Sequence, residues 1–264
     1  MVSPYLRLVA AQVRSQTQYR ASFAAEFVFS TVLTMLDVVT VFVVFSVNGS
    51  LGGFGAREVL LMVGLSGFAF QVGDLAVGNV ERLRLYVRSG LFDAVLVRPL
   101  STLGQLVSMD FATRRVGRAI QGVVVYVVAL AVAPIHWSPA AMLLVVVAPL
   151  AGAVFFGALF VAFAAVAFWW IESGELANAF TYGGRDFTSY PMTVFGGLFR
   201  RLFAYGLGFG FVAYLPALAL LDRADPLGVP DWLRWCSPVV ALLAAGLAAW
   251  FWRTGVRHYR STGS

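Results

Sequence analysis

The chain contains no lysine; all nineteen of its basic residues are arginine. That absence excludes a lysine Schiff base and a Walker lysine, so the chain does not bind ATP through a P-loop of its own. Cysteine is almost missing as well. Cys236 stands alone, which leaves no intrachain disulfide and no cysteine zinc cluster. The two histidines, His136 and His258, are far apart and lie outside the apolar runs, so a metal site is not expected. Charge is scarce: 12% of the 264 residues are charged, against about a quarter in a soluble domain. In its place the chain is 60% hydrophobic and 15% aromatic, with a mean hydropathy of +0.82. These values describe an all-α integral membrane protein. The net charge of +6 comes from arginines that flank apolar runs. Membrane orientation explains them better than nucleic acid does, and no nucleic-acid partner is expected.

Within the N-terminal segment, residues 1–23, Leu6, Val9, Ala10 and Val13 fall at helical spacing, with Arg7, Arg14, Gln16 and Gln18 elsewhere. That pattern is an amphipathic helix lying in the membrane interface. No signal peptide is expected, because the first apolar run starts only near Ala24. Residues 24–264 form one six-helix transmembrane domain. Its spans are expected at 24–46, 59–79, 119–133 with an extension over 114–118, 140–168, 202–221 and 237–252. The fourth is long and contains Pro149, so it is tilted or bent. Trp169 and Trp170 sit where an interfacial aromatic belt belongs. Residues 171–201 are mixed in character, and the fifth span is loosened by Gly206, Gly208, Gly210 and Pro216. With the N-terminus inside, the inner segments hold three, seven, three and three arginines, and the outer loops hold Arg57, Arg223 and Arg234. Such a bias puts both termini in the cytoplasm.

The stretch 81–103 interrupts this alternation. It carries four arginines, yet its centre, Leu91-Phe92-Asp93-Ala94-Val95-Leu96-Val97, is apolar on nearly every side. Seven residues are too few to span a bilayer, and left in water they form the kind of patch that marks a contact site. Ser89-Gly90 breaks the preceding helix and Arg98-Pro99 stops the following one. The reading is a short helix over about 89–99, held at the membrane edge. Its greasy face is offered either to a partner or to the chain's own transmembrane helices, and the residues alone leave these two equal.

Here the sequence resembles a known family. Ser89-Gly-Leu-Phe-Asp93, then Val95-Leu-Val-Arg98-Pro99-Leu100, then Gln105, look like the loop between the second and third helices of type-two ATP-binding-cassette (ABC) exporter permeases, in a poorly characterised bacterial group. Phe168-Trp169-Trp170, Tyr190-Pro191 and Tyr214-Leu215-Pro216 resemble the same group, so the likeness covers essentially the whole chain. The group tends to carry a proline early in helix five, where this chain has Gly206-Leu-Gly208-Phe-Gly210. The resemblance implies the type-two ABC exporter permease fold and a multi-pass protein of the bacterial cytoplasmic membrane. It implies pairing with a second permease, identical or related, and two copies of a cytosolic ABC ATPase that supply ATP and Mg; this chain itself binds no cofactor. Leu91, Phe92, Asp93, Val95, Arg98 and Pro99 would form the coupling helix, with Phe92 filling a pocket on the ATPase. A re-entrant segment on the outer side would fall over about 216–235.

Three other constellations are open to functional readings. Gly64-Leu65-Ser66-Gly67 has the form of the rhomboid-type nucleophile motif, but that chemistry needs a base within hydrogen-bond reach. Neither histidine lies in a span, so small residues at a helix–helix contact are the better account. Asp37, near the middle of the first span, either meets a cationic substrate or relays protons, which would suit a secondary transporter, or is satisfied by its neighbours. No internal repeat supports a secondary transporter. Asp74 lies nearer the cytoplasmic end, on a possible substrate path or in an ion pair with Arg82 or Arg84. Asp110 and Arg114 form a surface pair four residues apart.

Overall fold

The computed structural model describes residues 49–109 and 112–260, with scattered helical positions between 25 and 46. The interfacial segment, Asp37 and Asp110 lie outside the described residues. The helices are α1 (Ala56–Val77), α2 (Leu83–Arg88), α3 (Leu91–Leu96), α4 (Thr102–Met109), α5 (Thr113–Val132), α6 (Pro139–Ala165), α7 (Gly174–Thr188), α8 (Gly197–Arg200), α9 (Tyr214–Leu220) and α10 (Ser237–His258). A 3₁₀ turn joins α1 to α2, and a π-helical turn over Arg201–Gly206 extends α8. Among the described residues the only β pairing is the bridge between Leu51 and Phe54.

Local chemistry sets the ends of these helices. Ser138 accepts a hydrogen bond from the Ala141 amide, and Pro139 follows at the first helical position, so α6 starts there. Glu58 reaches back to the Gly55 amide at 2.7 Å and opens α1. Gly90 has φ of +71° and separates α2 from α3; that left-handed conformation favours glycine.

Helix α1 is the axis of the bundle. It packs against α5 and α6, and α6 packs against α10. Small residues allow the close approach. A Cβ on Gly73 would lie 2.9 Å from the Ala153 carbonyl, one on Gly152 would lie 2.7 Å from Ala69, and one on Gly64 would lie 3.0 Å from the Ala129 Cβ. Gly64 is thus a helix contact, as expected for small residues in a membrane bundle.

Two ends can be told apart. At one, the end of α1 and α2 meets Arg115 and Arg118 of α5. At the far end, the loop before α1 meets Arg223, which lies 2.8 Å from Glu58 and donates to the Gly53 carbonyl. Among the described residues four stretches are long and apolar enough to cross a membrane: Ala56–Arg88, Arg114–Val132, Pro139–Phe168 and Ser237–His258. The pair Gly197–Gly206 and Phe209–Leu220, bent by 64°, would be a fifth if it counted as one span.

The contacts of that pair oppose the expectation of a fifth span at 202–221. Just before it, Thr193 donates to the Gly52 carbonyl at the far end. Just after it, the Leu220 carbonyl accepts from the His136 amide, in the turn between α5 and α6, and Arg223 follows. The pair therefore leaves and returns at the same end, as a shallow re-entrant wedge. Its vertex is Gly208, φ +89°, where a side chain would meet Val240 and Phe155.

Helix α7 connects the two ends instead. Glu172, just before it, is ion-paired with Arg88, and Gly174 abuts the Arg84 guanidinium. Midway, Ser66 of α1 lies 2.6 Å from the Thr188 hydroxyl and donates to the Arg185 carbonyl. After Ser189 the chain reaches Gly52 through Thr193. Residues 174–195 thus run alongside α1 from end to end. The mixed segment links the two ends of the bundle, and the bent pair occupies Gly197–Leu220. The stretch 222–235 lies at the far end with Arg223 and Arg234, whose guanidinium donates to the Arg223 carbonyl.

Candidate functional site

Helix α3 divides cleanly. Phe92 and Val95 are 0% and 1% exposed, whereas Leu91 and Val97 are 57% and 83% exposed. Phe92 packs edge-on against Tyr259, with centroids 4.9 Å apart, and against Phe168 at 5.2 Å. Trp252 closes the cluster against Phe168 and donates to the Thr102 hydroxyl. Phe92 thus joins the ends of α6 and α10. It is an internal anchor, and the expectation that it fills a partner's pocket is corrected: ring burial against its own chain has taken its surface. Val95 is corrected with it. What stands outward is Leu91, Ala94, Leu96, Val97, Arg98 and Pro99, with Asp93 half-buried beside Tyr259. Burial, then Asp93, pushes the Tyr259 hydroxyl above its ordinary range.

Gln105 has a role the sequence did not reveal. Fully buried, it donates to the Val95 carbonyl at 3.0 Å and to the Leu100 carbonyl at 3.1 Å. Those are open carbonyls at and beyond the end of α3, where helix ends need partners. An amide ten residues downstream was the available signal.

Asp74 is buried in an ion cluster. Its carboxylate lies 2.8 Å from Arg115 and 3.9 Å from Arg118, and Arg115 is 3.7 Å from Glu81. Arg115 also donates to the Asp74 carbonyl at 2.9 Å. The expected partners, Arg82 and Arg84, are displaced by arginines from α5, because helix packing brings those guanidinia to the buried side. Gly78 is what admits Arg115: a Cβ there would collide with the guanidinium and with the Asp74 carboxylate. Closed in this way, Asp74 is a tie between α1 and α5.

Ser66 hydrogen-bonds Thr188, Ser189 and the Arg185 carbonyl. None of these is a general base; the hydroxyl serves the contact between α1 and the α7 segment. Among the described residues no three His, Cys, Asp or Glu side chains are grouped to hold a metal ion.

Helix α7 carries the most unusual face. Thr181, Gly184, Phe187 and Thr188 are buried, while Glu175, Asn178, Tyr182 and Asp186 are exposed at intervals of three and four residues. These four form one stripe. An aspartate facing lipid near a helix centre costs about 2.5–3.5 kcal/mol even on lenient insertion scales. The stripe therefore faces water or protein. At the Glu81 end it begins beside a cleft of about 70 Å³ lined by Glu81, Arg84, Ser173 and Asn178.

A family model described as ABC-2 family transporter protein matches residues 31–263. Nothing among curated proteins or solved structures matches the chain. A helical, multi-pass membrane chain matched over nearly its whole length in this way belongs to the ABC-2 transporter family.

Proposed function

We propose that the chain is the permease subunit of an exporter, moving an apolar or amphipathic compound, a lipid-linked molecule or a peptide out of the cell. A separate ATPase supplies the energy and docks on α3. The observation that carries this reading is the division of α3. Its inner residues are locked to the ends of α6 and α10, and its outer apolar residues stand among arginines. A force applied to Leu91 and Val97 passes directly to two membrane helices. A second permease, identical or related, faces the α7 stripe, which then borders a path excluded from lipid.

Leu91→Arg with Val97→Asp is expected to release the ATPase and leave the permease folded. Losing an interface anchor commonly costs about 2 kcal/mol or more. Tagged permease would be purified from cells expressing both subunits; wild-type recovery of the ATPase with the double variant overturns the docking surface.

Orientation follows from arginine placement. Among the described residues ten arginines lie at the Glu81 end, five at the far end, and Arg185 between. The richer end is cytoplasmic by the usual bias, with six crossings and both termini inside. Gly196 is exposed, and a Cβ there meets nothing within 4 Å. In a Cys236→Ser background, Gly196→Cys should react with an impermeant maleimide applied outside intact cells. Protection until the cells are opened would return 171–201 to the cytoplasm.

A further inference from the structure

Between α7 and the first leg of the re-entrant wedge lies a chamber of about 260 Å³. Its walls are the rings of Phe180, Phe187, Phe199, Phe203 and Phe209, and its remaining lining is Ala179, Gly183 and Gly184. Among its described lining residues none carries a polar side chain. Phe199 and Phe203 stack with centroids 4.3 Å apart, and Phe203 and Phe209 stand 6.3 Å apart. Gly184 is pressed against the Phe209 ring, whereas a Cβ on Gly183 would meet nothing within 4 Å. Gly183 is exposed and marks the mouth.

The volume is below the about 300–1,000 Å³ of a site that encloses a whole ligand. It suits one compact end of a larger molecule. The mouth adjoins the polar stripe, since Asp186 lies three residues beyond Gly183 on the same face. Aromatic faces attract cations, and so does a carboxylate. Resting on the permease reading, we propose that this chamber holds the aromatic end of a cationic amphiphile, with Asp186 beside its charge. The re-entrant wedge supplies three of the five rings, so the site exists only while the wedge lies against α7.

Tetraphenylphosphonium, radiolabelled, is the probe, and equilibrium dialysis against purified permease in detergent is the measurement. The wild-type protein should bind it saturably. Gly183→Leu places a side chain at the mouth, where a Cβ has open space, and should weaken binding at least tenfold. Asp186→Asn should weaken it several-fold, and Phe203→Leu, which removes a ring and keeps an apolar wall, should do the same. Gly246→Leu, at another open exposed glycine on α10, should bind as wild type does. No saturable binding by the wild-type protein overturns the assigned ligand class. Unchanged binding by Gly183→Leu and Phe203→Leu overturns the site. Dialysis needs no ATPase, so failure of the docking experiment and failure of this one are distinct.

Discussion

Arg115→Met is expected to lower the thermal unfolding midpoint of the purified permease sharply and to leave little of it monodisperse. The substitution keeps the length of the side chain and removes its charge. Asp74, 2% exposed, then loses its 2.8 Å partner. Breaking a buried pair from one side costs about 3–5 kcal/mol, because the remaining charge stays buried. Arg118 is at 3.9 Å and replaces Arg115 only in part. The cycle closes with Asp74→Asn. Combined with Arg115→Met, it leaves no net charge stranded and should recover most of the loss. Heating followed by size-exclusion chromatography measures all three variants. A single Arg115→Met variant as stable as wild type would mean that the cluster is hydrated.

The second large effect belongs to Phe92→Ala. The ring is fully buried between Tyr259 and Phe168. Truncating a buried phenylalanine costs about 3–5 kcal/mol through lost burial and the cavity left behind. The expected signature is a permease that unfolds at lower temperature with or without the ATPase. Leu91→Arg with Val97→Asp should show the reverse, a normal midpoint and a lost partner. The two variants separate the inner side of α3 from its outer side. If Phe92→Ala shed the ATPase at an unchanged midpoint, the ring would be a docking group after all.

Four of the expected spans coincide with helices that, among the described residues, are long and apolar enough to cross a membrane, because their apolar runs are long and flanked by arginine, turns or proline. The course of residues 174–195 along α1 was not legible. Averaged along the chain, Glu175, Asn178, Arg185 and Asp186 hide the apolar residues between them. Read around the helix, Ala177, Phe180, Thr181, Gly184, Phe187 and Thr188 fall on one side, and that period was the available signal. The next run, 202–221, is more hydrophobic and drew the fifth span to itself, although the left-handed Gly208 breaks it. Asp74 illustrates a second limit. Sequence offers the nearest arginines, whereas packing delivered one from 41 positions away. Phe92 illustrates a third. An apolar residue in a short amphipathic turn looks alike from both sides, and only the fold decides which side is already covered.

The polar stripe also bears on how the protein is made. A segment with Glu175 and Asp186 on one face gains little by partitioning into lipid alone, since acidic residues oppose insertion. During synthesis α1 and α6 emerge earlier and are apolar enough to enter the bilayer unaided. The hydroxyl of Ser66 on α1 then waits for Thr188 and the Arg185 carbonyl. If α7 crosses the membrane, it would enter along a wall of protein already in place, and its insertion would depend on the helices before it having been built correctly. Damage to the Ser66 surface of α1 would therefore appear first as a failure of biogenesis, with residues 174–195 stranded on the side of the membrane where they were made.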